Sequence, residues 1–352
     1  MAEEILSYRD ALARAMRQAL AEHDHTLILG QGVADHKGTF GTTLDLHREF
    51  GADRVIDMPL CEEGTTGLAV GAAINGAYPI HVHIRADFVF LAINQIINMA
   101  SKMAYMSDGR VHVPMLIRLV VGRSWGQGAQ HSQSPQSLFA HFPGIAVVMP
   151  SDAQAILDTY PALIASHRGP VVSVEHRLLY DTKFTYDRAQ SGPALGSRLL
   201  RRGGDVTIVA TSIMVLEAVR AAKHLAAAGI ECEIIDLHSP SHYDQEMILA
   251  SLGRTGRLVV ADTSWLPFGT GAEIARLVVM TDPRLLRAPA RFIGMAWTPC
   301  PTAKVLEDAY YPTLDDLVDT VAALVRGRAD HGVALPGETS MADVYKKFKG
   351  PF

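Results

Sequence analysis

The apolar and polar positions of the chain change period again and again. In SYRDALARAMRQALAEHD the apolar residues recur three and four apart behind Ser7, which predicts a helix with a hydroxyl at its start. TLILG is then apolar without a break, as a buried strand is. RVIDMP predicts a strand, residues 64–76 a helix and YPIHVHI a further strand. LAINQIINMASKMAY predicts a helix over 91–105. Strands follow in PMLIRLVV and GIAVVMP, then a helix in DAQAILDTYPALIASH and a strand in PVVSVE. Such alternation is the pattern of a parallel sheet covered by helices on both faces.

Periodicity lapses over 181–204, DTKFTYDRAQSGPALGSRLLRRGG, where Gly, Pro and charge gather, and this stretch reads as a linker. A second alternation starts at DVTIVAT and continues through the helix VLEAVRAAKHLAAAG, whose Gly229 suits a C-cap. The strand ECEIIDL, a helix near 244–251, the strand RLVVAD and a helix near 270–280 complete it. The fold class expected is α/β, with two parallel-sheet domains that carry helices on both faces. The domains are residues 1–180 and 205–329, joined by the linker and followed by a tail over 330–352.

Composition narrows the function classes. A chain of 352 residues is long enough for two cores. Its charge of 32 − 37 = −5 supplies no global basic field for nucleic acid or an anionic membrane. No apolar run reaches membrane-spanning length, and the N-terminus lacks the basic flank and apolar core of a signal peptide. Cys61, Cys232 and Cys300 are far apart and odd in number, which argues for a reducing compartment. None of the 15 histidines falls in a zinc-site spacing. The expectation is a cytoplasmic protein that binds neither membrane nor nucleic acid and holds no metal by its own residues.

One stretch carries chemistry openly. In PLCEEGTTGLAVGAAINGAYP, Glu62 and Glu63 adjoin a helix that has no charge from Gly64 onward. Gly67 and Gly71 share one face of that helix, at a cost of roughly 1 kcal/mol each relative to alanine, which a close approach by another backbone would offset. A carboxylate beside low-dielectric surroundings is costly unless paired, hydrogen-bonded or protonated. Either an acid here is a solvated helix-start residue, favoured by the helix dipole, or one is held dry for chemistry.

From Glu62 to Gly71 the chain spells E-x4-G-Φ-x2-G, the pattern that thiamine diphosphate enzymes carry around the acid that activates the cofactor. With RVIDMPLCEEG, HIRADFVFLAINQIINMASK, AQHSQSPQSLFAHFPGIAVVMPSDA and PVVSVEHRLLY, the chain resembles the β subunit of the 2-oxoacid dehydrogenase decarboxylating component, of the pyruvate and branched-chain types. The likeness runs from about residue 5 to 326. DVTIVATSIMVLEAVRAAKHLAAAGIECEIIDL and the AEIA segment at 272–275 match that family's C-terminal domain. The resemblance implies a thiamine-binding pyrimidine domain followed by a transketolase C-terminal-like domain. It also implies that Glu62 is the dry acid, meeting the ring nitrogen of the cofactor's aminopyrimidine and promoting its imino form, with Glu63 solvated. Phe88 falls where the family stacks an aromatic ring on the pyrimidine, and Leu60 matches an apolar wall residue. His131 matches the histidine that protonates intermediates or guides acyl transfer. His141, in the same run, packs or caps.

The family's diphosphate and magnesium signature, GDG followed about thirty residues later by NN, is missing. Gly203-Gly204-Asp205 and Ser107-Asp108-Gly109 are the nearest strings, and neither has the downstream asparagines. The loops GQGVADHKG and VVGRSWGQG lack phosphate-cradle spacing and read as rims of the active site. By resemblance, thiamine diphosphate is therefore shared with an α subunit that holds Mg2+, in an α2β2 heterotetramer, with the small-residue helix packed across a subunit interface. In the dehydrogenase version the acyl acceptor is a lipoyl group on a separate carrier protein. The alternatives are a split transketolase-like or acyloin-forming enzyme with a carbonyl acceptor, and a non-catalytic β-like scaffold.

The chain departs from the family at several points. Arg85 replaces a large apolar or aromatic residue, which suggests a cation for an acidic or phosphorylated substrate, or a salt bridge. GQGV at 30–33 replaces GEDV, Gly41 stands where arginine is frequent, and HSPSHYD at 238–244 departs from the usual proline-leucine-aspartate ending. His167 replaces an acid near the family's structural potassium site, so the resemblance does not carry that ion over.

Overall fold

A computed structural model describes residues 3–122 and 126–337, in two compact units. The first comprises described residues 3–122 and 130–195, the second 126–129 and 196–337.

The first unit holds β1 (Glu4–Ser7), β2 (Thr26–Gly30), β3 (Val55–Asp57), β4 (Tyr78–His83), β5 (Met115–Val121), β6 (Ala146–Val148), β7 (Pro170–His176) and β8 (Lys183–Tyr186). Six of these form a wholly parallel sheet in the order β3-β2-β4-β5-β7-β6. Every residue of β4, β5 and β7 is buried, as expected of strands with helices on both faces. The helices α1 (Tyr8–Glu22) and α3 (Ala153–Ser166) begin where the sequence places them, whereas α2 (Glu62–Ile74) lies two residues earlier than the expected 64–76 and takes Glu62 and Glu63 into its first turn. Ser7 accepts from the Asp10 amide and Asp152 from the Ala155 amide, so α1 and α3 have the side-chain caps that a free helix start requires.

Three local expectations change. Residues 91–105 do not make one α-helix. A 3-10 segment (Ala86–Ala92), a π-helical segment (Asn94–Ala100) and a short α turn (Met103–Met106) follow each other. Apolar spacing signals a helix but not the width of its turns, and the wider turn buries Ile96, Ile97 and Ala100 together. The stretch 181–204 is not without structure, since it holds β8, paired antiparallel with β1, and the first strand of the second unit. Gly229, with φ of 72°, turns the chain after a helix that already ends at Ala226.

The second unit holds β9 (Arg198–Arg201), β10 (Val206–Ala210), β11 (Cys232–Asp236), β12 (Leu258–Trp265) and β13 (Arg291–Met295) in the order β13-β12-β10-β11-β9. Four strands run parallel and β9 closes one edge antiparallel, so this sheet is mixed. Gly203 passes so close to β11 that an added Cβ would sit 2.2 Å from the Cys232 carbonyl carbon. The Gly203-Gly204-Asp205 string is thus explained by packing. Helices Ile213–Ala226, Gln245–Thr255, Thr270–Thr281 and Leu314–Arg326 accompany the strands, the last with a Thr313–Asp316 capping box. Sequence periodicity had passed over it.

Two polar devices hold the first unit. Arg118 of β5 and Glu175 of β7 are fully buried and paired twice, Nε–Oε1 at 2.6 Å and Nη2–Oε2 at 2.8 Å. Arg118 Nη2 also donates to Thr42, and the Tyr160 and Tyr180 hydroxyls donate to Glu175. Burial works against the Arg118 charge, but the Glu175 carboxylate outweighs it. Burial, then Glu175, pushes both phenols well up, so they stay neutral donors. In β4, His81 Nδ1 lies 3.2 Å from the Leu29 carbonyl and Nε2 lies 3.0 Å from the Thr66 hydroxyl. A carbonyl only accepts, so Nδ1 carries the proton and Thr66 donates to Nε2. One imidazole thereby ties β2, β4 and α2 together.

Removing one partner of a buried ion pair leaves the other charge stranded, at about 3–5 kcal/mol. Arg118→Met or Glu175→Gln is expected to destabilise the chain by about that much, read from denaturant unfolding, whereas Glu63→Gln, on the surface, stays near wild type. A pH response follows from the histidines. Burial holds His81 down to about 4 and, with His81 beside it, His83 well below its ordinary value. Unfolded imidazoles accept protons below about pH 6.5 while these folded ones do not, so stability falls as the pH drops from about 6.5 toward 4. His81 alone contributes roughly 3 kcal/mol of that fall. The melting temperature of wild type is expected to decline over that window, and the double variant His81→Val, His83→Ile to decline less.

Candidate active site

The carboxyl edge of the parallel sheet in the first unit opens into a cleft. β2 leaves the sheet at Gly30, where φ is 156° and an added Cβ would lie 2.4 Å from the Val82 carbonyl oxygen. Only glycine allows that approach, which brings Gln31 over the edge of β4. From the other side comes the first turn of α2, with Glu62 and Glu63 in it. Cys61, just before the helix, gives no side-chain cap, so the acids alone complement the positive helix start. Glu62 is half-buried and its Oε1 accepts from the Gln31 amide nitrogen at 3.3 Å. Glu63 is exposed and accepts from Gln95 at 3.2 Å. Of the two acids, the first is the one that faces the cleft.

Phe88 and His131 come together at the rim, with ring centroids 5.2 Å apart and the rings edge to face. Their neighbour Asp87 brings this about. Its Oδ1 accepts from both the backbone amide and the side-chain amide of Gln133, at 3.1 and 2.9 Å, which fastens the loop of His131 to the turn of Phe88. Burial raises the Asp87 carboxyl and the Gln133 hydrogen bonds pull it back. Phe88 is 36% exposed, so its face is available.

Arg85, 6% exposed, lines the same cleft and donates to its neighbour's carbonyl, that of Ile84. Its guanidinium lies 5.5 Å from the Phe40 ring, while Arg177 approaches that ring to 4.7 Å, so Phe40 is stacked against two cations. Burial, and then the like charge of Arg177, brings Arg85 down to about 10, still cationic at neutral pH. Phe40 and Thr39 hold left-handed backbone angles, φ of 58° and 41°. The missing arginine at position 41 has a counterpart in space, since the side chain of Arg9 occupies the volume where a Gly41 Cβ would project.

Glu62, Arg85, Phe88 and His131 therefore gather at one edge of one sheet. Leu60 does not line the cleft in this chain and is 82% exposed. His141 caps the short helix Gln136–Ala140 and lies against Phe142. Ser107-Asp108-Gly109 is a turn with φ of 55° and 71° at the last two residues. The VVGRSWGQG loop and the KKFKGPF tail fall partly and wholly outside the described residues. Sequence reasoning passed over Gln31, Asp87, Gln133 and the pair His81 and His83. Two histidines alternating in an apolar strand were the one available signal.

The cavity at the base of the cleft holds about 10 Å³, roughly the space of one water, so a ligand ring would lie in the open mouth above it. The chemistry of its lining suits one heteroaromatic ring: a carboxylate for a ring nitrogen, an aromatic face, and polar groups around them. Among the described residues no group of three His, Cys, Asp or Glu side chains is placed to hold a metal. The pyrimidine half of thiamine diphosphate suits the chemistry of these residues.

Comparison with known proteins assigns a family to both units. Residues 4–183 match the model of the transketolase pyrimidine-binding domain and 196–317 that of the transketolase C-terminal domain. A pyruvate dehydrogenase E1 component subunit beta of Rickettsia conorii is 35% identical over 90% of this chain and 97% of its own. The mitochondrial counterpart of Drosophila melanogaster is 36% identical over 95% and 93%, and that of Homo sapiens 35% over 89% of each chain. Among solved structures, a split-gene transketolase described as an inactive beta4 tetramer superposes with a TM-score of 0.74 at 23% identity, covering 91% of this chain and 98% of that one. The chain belongs to the family of β subunits of the 2-oxoacid dehydrogenase E1 component, built on a transketolase-type pyrimidine domain and C-terminal domain.

Proposed function

We propose that the chain supplies the pyrimidine half of a thiamine diphosphate site that decarboxylates a 2-oxo acid, and that an α subunit supplies the diphosphate and Mg2+ half in an α2β2 assembly. The observation that carries this is the half-buried Glu62 carboxylate at a helix start, in one cleft with the exposed face of Phe88. The glycine-rich face of α2 supports the partner. An added Cβ at Gly71 would meet nothing within 4 Å in this chain, and Leu68 and Ile74 of the same helix are exposed. Among the described residues no helix is long and apolar enough to cross a membrane. The cytoplasm is the proposed compartment, although the Drosophila and human relatives are named mitochondrial.

Thiamine diphosphate bound here would supply a nucleophilic carbon and an electron sink for decarboxylation of a 2-oxo acid. Glu62 hydrogen-bonds the pyrimidine ring nitrogen and carries the proton exchanged there, as a general acid–base group does. Phe88 packs its face on that ring. His131, held at the rim beside Phe88 through Gln133 and Asp87, is placed to meet a reacting oxygen or an incoming acyl acceptor. Arg85 offers a cation to the substrate carboxylate. The acceptor is a lipoyl group on a carrier protein; a carbonyl acceptor, as in a split transketolase, is the second reading, to which an anion-binding Arg85 belongs equally well.

The test is decarboxylation by the chain co-purified with its α partner. Glu62→Ala is expected to lower kcat about 100- to 10,000-fold, with Glu62→Gln nearly as low. Reduction of free lipoamide identifies the dehydrogenase reading and condensation with an aldehyde the second one. Near wild-type turnover by Glu62→Ala would eliminate the mechanism.

A further inference from the structure

His83 ends β4 at the cleft and lies on the same side of the strand as His81, the two rings 4.4 Å apart and edge to face. His81 has partners for both nitrogens. His83 has none: its ring is 5% exposed, its Nε2 is buried, and no hydrogen bond reaches the side chain among the described residues. A buried polar group left unpaired costs about 1–3 kcal/mol, and an apolar side chain there would cost nothing of the kind. Such a group in a native protein calls for an explanation, a catalytic role being one, and this one lines the cleft. Burial, then the neighbouring His81, keeps the imidazole neutral, with one N–H and one lone pair to offer.

The register identifies a counterpart. α2 joins two parallel strands and so runs opposite to β4, and Thr66 of α2 faces His81. Two residues onward along a strand is about 6.7 Å, and four residues back along a helix is about 6 Å. The pair that follows Thr66–His81 toward the cleft is therefore Glu62–His83, and both residues line it. Glu62 Oε1 takes the Gln31 amide, while its Oε2 has no partner among the described residues.

We propose that His83 is a positioning residue for Glu62, its imidazole hydrogen-bonding the carboxyl oxygen that Gln31 leaves free once that carboxyl turns toward the ring bound in the cleft. The inference rests on the role given to Glu62 above. With Gln31 on one side and His83 on the other, the carboxyl has a single orientation and aims at the ring nitrogen. No proton need pass to the imidazole.

The experiment uses the chain co-purified with its α partner, and three variants: His83→Leu, His83→Gln and Glu62→Ala. His83→Leu is expected to keep or raise the melting temperature, because it removes an unpaired buried group. It is expected to weaken thiamine diphosphate binding measured by calorimetry, and to lower kcat about 10- to 100-fold with KM for the 2-oxo acid little changed. His83→Gln, which keeps a hydrogen-bonding group at similar reach, is expected to restore most of both losses. Wild-type cofactor affinity and kcat in His83→Leu would overturn the proposal. So would a parallel loss of melting temperature and activity that His83→Gln does not relieve, the mark of a packing role. Should Glu62→Ala remain active, the reading of the cleft itself fails. An inactive Glu62→Ala beside a fully active His83→Leu overturns only the role of His83.

Discussion

The hydrogen bond from the Gln31 amide to the Glu62 carboxylate joins the two elements between which the cleft lies, the turn leaving β2 and the first turn of α2. It exists because Gly30 lets the chain pass within contact of the Val82 carbonyl, a path closed to any side chain with a Cβ. On the helix side, α2 has no charge after Glu63 and no side-chain cap at Cys61. The positive helix start is then complemented by the acids themselves. A carboxylate held this way is neither fully dry nor free in water. It keeps one amide partner and one open oxygen, the state a group needs if it is to meet a ligand atom.

Behind the cleft the sheet is anchored by polar groups of a different kind. Arg118, Glu175, Tyr160, Tyr180 and Thr42 form a closed buried network that ties the loop of Phe40 to β5 and β7. His81 ties α2 to β4 and β2. Each of these groups has a partner within the chain, though one Arg118 nitrogen, Nη1, has none, and beside His81 the Nε2 of His83 has none either. The first lies inside the closed network, the second in the wall of the cleft. Other buried polar atoms of the described residues also lack a partner, among them the Tyr78 and Ser132 hydroxyls, but of all of them only His83 Nε2 belongs to a residue that lines the cleft.

Much of the fold was legible because period and burial coincide. Strands such as MLIRLVV and PVVSVE are apolar throughout and turned out to be buried on both faces. The failures share a cause. Periodicity does not report turn width, so the π-helical segment Asn94–Ala100 read as an ordinary helix. Short polar edge strands such as Lys183–Tyr186 and Arg198–Arg201 have no apolar pattern to give them away. In the candidate site, Glu62, Phe88 and His131 drew notice only through a family motif, since a carboxylate and two rings carry no chemistry in isolation, and the structure sets Glu62 and Phe88 in one cleft with His131 against Phe88. Asp87 and Gln133 were not, because a residue that fastens one loop to another has a signature only in space. His83 was visible in YPIHVHI as a polar residue in an apolar strand, but its lack of a partner is a fact of packing alone.

The central claim is that the Glu62 carboxyl governs the reactive carbon of a cofactor whose diphosphate is gripped by another subunit. Hydrogen–deuterium exchange at the thiazolium carbon of thiamine diphosphate, measured by quenched NMR in the complex with its α subunit, addresses that step before any substrate is present. Exchange in Glu62→Gln should slow to about the rate of the free cofactor while the cofactor stays bound. Exchange as fast as in wild type, with the cofactor bound equally well, would contradict the account.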